Sequence, residues 1–166
     1  MPRSGPRCRR YLQGFQLTSI SAVPDARTGN LGRCDYMGPR LQGPDGQWDR
    51  EAVTAHGLIA LAGALAHDRV VRTPMTIRPW YWIGRGGGDS DVADLMQWLT
   101  GLHGGDQAQI QTKFDQLRRR TEELFDPSSR AWAAVETLAT VLCDRSTLSG
   151  QEATEIIQTA LKEAGA

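Results

Sequence analysis

The segment DQAQIQTKFDQLRRRTEELFDP, residues 106–127, decides the fold class of this chain of 166 residues. Its apolar residues recur at intervals of three and four, which places them on one face of an α-helix. Asp106 stands where an N-cap belongs, and Asp126-Pro127 ends the pattern. The predicted apolar stripe consists of Ile110, Phe114, Leu117, Thr121, Leu124 and Phe125.

Two more helices are predicted after Pro127. Ser128 or Ser129 caps the first of them, and Ser149 with Glu152 forms the S-x-x-E pattern of a capping box before the second. Three successive helices with short connections predict a C-terminal antiparallel helix bundle. The residues of the middle helix expected to face inward are Trp132, Val135, Leu138, Ala139 and Leu142.

The middle of the chain is predicted to hold two further helices with a strand between them. Asp49 caps the first, which runs to about Val71. The second starts at Asp89 or Ser90 and continues to Gly101. Residues 75–84 form an edge strand, because prolines at 74 and 79 cannot donate to a central ladder.

Two short strands are predicted ahead of these helices, over residues 15–23 and 31–37, with Thr28-Gly29-Asn30 in the turn. Residues 38–48 form an exposed connection, since glycine and proline interrupt them twice. The predicted fold is therefore mainly α (α+β), with a small N-terminal β element. We expect a single domain over residues 15–166, preceded by a disordered basic tail over residues 1–14.

The composition of the chain argues against several classes of function. The formal net charge is zero, because the chain has nineteen basic and nineteen acidic residues. This balance argues against a nucleic-acid partner. Cys8, Cys34 and Cys143 are odd in number and widely spaced, as expected of reduced thiols in a cytoplasmic protein. The longest mainly apolar run, residues 58–66, is about half of the ~20 residues that a membrane span needs. We therefore expect no direct membrane span.

The segment GRGGGDSD, residues 84–91, admits several interpretations. It lacks the lysine and the spacing of a Walker phosphate loop, and Asp89 occupies the place of the third glycine of a dinucleotide fingerprint. A carboxylate at a helix start, approached by glycines, suits a metal cation. Plain helix capping by Asp89 or Ser90, with Asp91 and Asp94 as first-turn acids, is the other interpretation.

Taken in order, five segments resemble the peptidase domain of the FtsH family, the membrane-tethered AAA zinc proteases, and its small stand-alone relatives. Ser19-Ile20 with Pro24, then Gly32 and Tyr36, match the family's strand pattern v-S-I-x-P followed by G-x-x-x-Y. Residues 61–67, LAGALAH, correspond to the family's L-A-G-R-A-A-E helix with its arginine and glutamate replaced. A long helix follows residues 87–91, and residues 138–152 echo the family's closing pattern, which ends in L-s-G-x-E.

The resemblance extends over residues 15–160 and carries implications for the site. Residues 87–91, GGDSD, align with the family's S-G-A-x-N-D, whose aspartate is the third zinc ligand, so the resemblance assigns the metal-ligand position to Asp91. It also implies zinc as the cofactor, peptides or proteins as partners, and self-association, since the relatives form hexameric rings. No Walker motif of an AAA motor occurs in the chain.

The family's H-E-x-x-H helix has no counterpart in these residues. Two imidazoles one turn apart bind the zinc there, and the glutamate takes a proton from bound water. Only residues 1–14, without a histidine, precede the first strand. His56 and His67 are separated by ~16 Å of helix rise, so they cannot share one ion. We assign no role to His103.

Two explanations for the missing helix stay open: a native start upstream of Met1, or decay of the catalytic site. In the first case these 166 residues are an incomplete metallopeptidase, which is expected to be inactive without the H-E-x-x-H helix. In the second case it is a pseudo-enzyme, a non-catalytic module for protein interaction or assembly. Trp80, Tyr81, Trp82 and Trp98 would then mark an exposed apolar binding patch.

Overall fold

The computed structural model describes residues 14–27, 32–71 and 87–165, with the backbone alone over residues 67–71 and 87–90. In these ranges the chain forms five helices and a three-stranded antiparallel sheet, so the fold is mainly helical with a small β element, as predicted. Among the predicted features, the turn at residues 28–30, the strand over residues 75–84 and residues 1–13 of the basic tail lie outside the described residues.

The chain groups into two compact units. The first contains residues 14–15, 38–71 and 87–121, and the second contains residues 16–27, 32–37 and 122–165, within the described ranges. The prediction of a single domain over residues 15–166 stays a prediction.

The first unit contains helices α1 (Arg50–Val71) and α2 (Gly87–Leu102) and most of α3 (Gln107–Leu124). The predicted caps of α1 and α3 are confirmed. The Asp49 carboxylate accepts hydrogen bonds from the backbone N–H groups of Glu51 and Ala52 at 2.8 and 2.9 Å. Asp106 accepts from Ala108 and Gln109 in the same way, so both helix starts have satisfied donors.

A hydrophobic core joins the three helices of the first unit. The predicted α3 stripe is confirmed for its first four members, whereas Leu124 and Phe125 are half-buried. Each fully buried Phe, Leu or Ile side chain contributes roughly 1.5–3 kcal/mol. The fully buried side chains of this core include Val53, Leu61, Val92, Leu95, Leu99, Ile110 and Phe114.

The connection over residues 38–48 is less exposed than predicted. Leu41 and Trp48 pack against the core, and Gln42 forms an isolated antiparallel bridge with Trp48. The Trp48 indole lies so close to Gly101 that a Cβ atom there would overlap it. The turn residues therefore present an aromatic anchor to α2, which the glycine and proline pattern did not indicate.

The second unit contains the sheet, whose strands are β1 (Gln16–Ser21), β2 (Arg33–Met37) and β3 (Thr147–Ser149) in the order β2-β1-β3. Both pairings are antiparallel, and Ile20 lies opposite Cys34 on one side and Leu148 on the other. The predicted strands β1 and β2 are confirmed. The strand β3 was not predicted, because three residues are too few to show alternation.

Helices α4 (Arg130–Arg145) and α5 (Gly150–Glu163) pack against each other in the second unit. Ser129 caps α4, accepting from the Trp132 N–H at 3.0 Å, and the Ser149/Glu152 capping box is present, as predicted. On α4 the buried residue is Ala134, whereas Ala139, expected inside, is exposed. The inward face of α4 therefore passes through Ala134 rather than Ala139.

The grouping of the last three helices differs from the predicted C-terminal bundle. The stripe of α3 is buried in the core of α1 and α2, so α3 belongs to the first unit as far as Thr121. The pair of α4 and α5 packs instead with the sheet. No helix in the described ranges has both the length and the apolar character required to cross a bilayer.

Candidate functional site

The candidate metal-ligand residue, Asp91, lies on α2. This helix begins at Gly87, so Asp89 and Ser90 lie inside the helix, and the prediction that one of them is its N-cap is wrong. A glycine in a helix costs only about 1 kcal/mol, which the burial of Val92 and Leu95 on the same helix outweighs. Asp91 is consequently in the second turn rather than the first.

Asp91 is exposed, as is Asp94 one turn further along α2. A structural zinc ion needs four protein ligands and a catalytic one needs three. Within the described part of the chain, no group of three or more His, Cys, Asp or Glu residues could hold a metal ion. The donors present there do not fit a zinc site, because Asp91 supplies one carboxylate and no imidazole pair accompanies it.

His56 occupies a half-buried aromatic environment on α1. Its Nε2 lies 2.9 Å from the carbonyl oxygen of Pro39, which can only accept, so Nε2 carries the proton of this hydrogen bond. The ring makes edge-to-face contacts with Phe15 and Trp98, with centroids 4.8 and 5.7 Å apart. His56 therefore ties the connection after β2 to the helical core.

The histidines and Asp91 are not brought together as a ligand set. Trp98, which contacts His56, is two turns beyond Asp91 on α2, and two turns correspond to ~11 Å of helix rise. His67 lies on α1 with His56, and its side chain is outside the described residues. This arrangement agrees with a packing role for His56.

Trp98 is half-buried against the core and the His56 ring, so it offers little free apolar surface. The other aromatic residues of the predicted binding patch, Trp80 to Trp82, lie outside the described residues. Cys34 and Cys143 are exposed free thiols, as predicted for these two positions.

His103, for which no role was predicted, belongs to a hydrogen-bonded group at the turn between α2 and α3. The Gln109 amide donates to the Asp106 carboxylate at 2.8 Å, which directs its oxygen toward His103 Nδ1 at 3.1 Å. Because an amide oxygen accepts, Nδ1 of His103 donates. The Nε2 atom of the ring is buried and has no hydrogen-bond partner in the described part of the structure.

An open pocket of about 330 Å³ adjoins this group. Burial lowers the pKa of the Lys113 ammonium, and the Arg50 guanidinium lowers it further by repulsion. The pocket was not predicted, because its residues are unremarkable singly and come together only where α1, the turn at His103 and α3 meet. Its lining residues are Arg50, His103, Ala108, Gln109, Thr112, Lys113 and Gln116.

Two of the segments that resemble the FtsH-type pattern, the one around Ser19-Ile20 and the one ending in Leu148-Ser149, meet in the sheet of the second unit. Ser19 lies opposite Ser149, and the Ser19 hydroxyl donates to the Asp35 carboxylate on β2 at 2.9 Å. Arg33 bonds the same carboxylate at 2.6 Å, and these two hydrogen bonds, that of Arg33 first, lower the Asp35 pKa. Gly150 approaches the Leu17 carbonyl so closely that a Cβ atom would overlap it.

No model of a known protein family matches this chain, and no curated protein matches it. The function is therefore interpreted from the chain's own residues and their arrangement. Within the described residues, the candidate sites are the α2 segment around Asp91 and the pocket between Arg50 and Lys113.

Proposed function

We propose that the chain carries the scaffold of an FtsH-type zinc metallopeptidase domain, with Asp91 at the position of the third zinc ligand. These 166 residues contain no H-E-x-x-H sequence to supply the two histidine ligands and the glutamate base. By themselves they are expected to bind zinc weakly or not at all and to leave peptides uncut.

The observation that carries this proposal is the pairing of β1 with β3. Two segments that resemble family patterns, one around Ser19-Ile20 and one around Leu148-Ser149, are far apart in sequence yet lie side by side in one sheet. Gly150, the glycine of the L-s-G-x-E pattern, follows directly and lies against the Leu17 backbone. The two segments that carry the resemblance thus pair with each other in one sheet, which is a physical reason for both patterns to occur in one chain.

The position of Asp91 gives further support. It is on a helix that starts with glycines and follows the helix carrying residues 61–67, in the order that the family pattern requires. The carboxylate is on an exposed part of α2, while Val92 and Leu95 anchor the helix in the core. Zinc ligands on a separate helix could therefore approach the Asp91 carboxylate while Val92 and Leu95 stay buried in the core.

A chimaera tests the proposal. The H-E-x-x-H helix of an FtsH-type peptidase is joined ahead of β1, and zinc binding is measured by competition with a chromophoric chelator. We expect one zinc ion per chain and cleavage of casein. Asp91→Asn should abolish tight binding, because it replaces the anionic ligand by a weak neutral one.

The matched control is Asp94→Asn, which removes an equal charge from an exposed position one turn away on α2. It should leave zinc affinity and casein cleavage unchanged. If the chimaera folds and binds no zinc, or if both substitutions weaken it equally, the assignment of Asp91 is wrong.

The alternative function is a non-catalytic module for protein interaction or assembly. The observation in its favour is the exposure of three large apolar side chains of the second unit, Val23, Met37 and Leu161. Light scattering tests self-association: Met37→Ser should shift an oligomer toward the monomer. A monomer at high concentration, with no partner recovered by pull-down, contradicts this alternative.

Under either function we propose a protein or peptide partner and a cytoplasmic location. The balance of basic and acidic residues supports a partner other than nucleic acid, and the free thiols of Cys34 and Cys143 suit a reducing compartment. Homo-oligomerisation is proposed by analogy with the ring-forming relatives.

A further inference from the structure

We propose that the pocket between Arg50 at the start of α1 and Lys113 on α3 binds a phosphate dianion, either free or as a small phosphomonoester. This proposal is independent of the peptidase scaffold and of zinc. Three features of the pocket favour such a ligand: its charge, the placement of its donors and its size.

The charge of the pocket is unbalanced. Two cationic side chains, Arg50 and Lys113, line it, and its lining in the described part of the chain includes no Asp or Glu. Neither cation has an ion-pair partner among the residues that the structure describes. The nearby carboxylates of Asp49 and Asp106 each accept two backbone N–H groups of their own helix start through Oδ1, and Asp106 also accepts the Gln109 amide through Oδ2.

The two cations are close enough to disturb each other. Lys113 is half-buried, and both its desolvation and the repulsion from Arg50 disfavour the charged ammonium, so its pKa is lowered. An anion bound between them would offset both penalties, because an opposite charge favours the charged ammonium. A dianion balances two cations, whereas a monoanion leaves one unpaired charge.

The donors suit phosphate geometry. Arginine offers a planar fork that binds two phosphate oxygens, and lysine adds a point charge. Gln116 also lines the pocket, and its side-chain amide can donate to a further oxygen. Thr112 already donates its hydroxyl proton to the Ala108 carbonyl at 2.8 Å, so it contributes shape rather than a donor.

The neighbouring turn holds one wall of the pocket rigid. His103 donates through Nδ1 to Gln109, which in turn is bonded to Asp106. Because Nε2 of His103 is covered, it is not assigned to the ligand. The volume of about 330 Å³ is at the small end of ligand pockets, which favours a phosphate or a compact phosphomonoester over a nucleotide.

Isothermal titration calorimetry with inorganic phosphate, with phosphoserine and with acetate tests the proposal on the full chain at neutral pH. Phosphate should bind at one site with a Kd of about 1 mM or below, and acetate at least about tenfold more weakly. If phosphoserine binds with a Kd equal to or lower than that of phosphate, a phosphomonoester is the better ligand. If phosphate binds and phosphoserine does not, the ligand is the free ion. Failure of both to saturate overturns the proposal.

The variants Arg50→Gln and Lys113→Gln should each weaken phosphate binding by about tenfold or more. The matched control, Arg119→Gln, removes the same charge from an exposed position on α3 outside the pocket and should change the Kd by less than about twofold. If all three variants weaken phosphate binding equally, phosphate is attracted by the overall charge of the protein, and the proposed site is wrong.

A second readout does not depend on the variants. Phosphate should raise the pKa of Lys113, followed by NMR at its ε-carbon, back toward the ordinary value of a lysine. A Lys113 pKa that stays unchanged under saturating phosphate contradicts the proposal even if binding is observed.

Discussion

Gly150 and the carbonyl group of Leu17 are in direct contact, so that residue 150 has no room for a side chain. The contact lies where α5 starts, directly after β3 pairs with β1. Two backbones meet there, and neither can rotate away as a side chain would.

Gly150→Ala is therefore expected to destabilise the protein by roughly 1–3 kcal/mol or more, as overpacking does. Urea denaturation followed by far-UV circular dichroism measures the change. The control is Gly63→Ala on α1, where nothing lies within 4 Å of the added carbon. It should stabilise by about 0.5–1 kcal/mol, since alanine is the better helix former. Equal effects of the two substitutions would contradict this interpretation.

The sequence predicted much of the helical scaffold because its signals are local. Asp49, Asp106, Ser129 and the Ser149/Glu152 box all cap the helices they were expected to cap. The start of α2 was misplaced, because glycine is permitted in a helix whose apolar face, with Val92, Leu95 and Leu99, is buried. The grouping of α3 with α1 and α2 was not predictable from periodicity, which identifies an apolar face but not its partner.

The candidate site was less accessible to sequence reasoning. Asp91 was identified through a resemblance of ordered segments, and its role remains a prediction. The pocket of Arg50 and Lys113 has no sequence signature, since its residues come from two helices and the turn at His103 and form a pocket only where these lie together. The strand β3 was missed for a similar reason, because its only apolar residue, Leu148, has no periodic companions.

Ser149→Ala should cost about 0.5–2 kcal/mol, because it removes the hydroxyl that accepts the Glu152 N–H and donates to the Glu152 carboxylate. Thermal unfolding measures the loss. Ser149→Asp keeps an acceptor for the N–H group and should recover part of the stability, whereas a full loss in both variants would contradict a capping role.

Glu152 should make stability depend on pH in acid. Its pKa is lowered to about 2, first by the Arg145 guanidinium at 2.5 Å and then by hydrogen bonds from Ser149. Because the unfolded value is about 4.3, the contribution is fully present above that pH and is lost as the pH falls toward 2. Glu152→Gln should flatten the stability profile between these values, as measured by urea midpoints.

The control for this pH dependence is Glu155→Gln, which removes an equal charge from the same helix at an exposed position. It should leave the acid limb of the profile nearly unchanged. A profile of Glu152→Gln that still parallels the unsubstituted protein would assign the acid sensitivity to other carboxylates, such as Asp35 and Asp106.

His56→Phe is expected to cost about 1 kcal/mol, because it removes the hydrogen bond to the Pro39 carbonyl while keeping an aromatic ring between Phe15 and Trp98. His56→Ala should cost more, since the ring contacts are lost as well. Urea denaturation followed by Trp fluorescence measures the loss of stability in each of the two variants. In the zinc-binding chimaera, an unchanged metal affinity of His56→Phe would agree with a packing role, and a large loss would contradict it.

Phe114→Ala should destabilise the protein by about 3–5 kcal/mol, because Phe114 is 1% exposed at the centre of the first unit's core. Calorimetric unfolding measures the change. The control is Leu161→Ala on α5, where the side chain is 37% exposed and a much smaller cost is expected. A small effect at both positions would contradict the described core.

The position of β1 in the sheet also orders events during protein synthesis. This central strand leaves the ribosome before the helices do, yet β3 follows only after α4 has been made. The nascent chain can assemble the contiguous helices of the first unit while β1 still lacks one neighbour. Completion of the sheet is thus a late, long-range step, and a chaperone that shields β1 meanwhile would suppress misassembly.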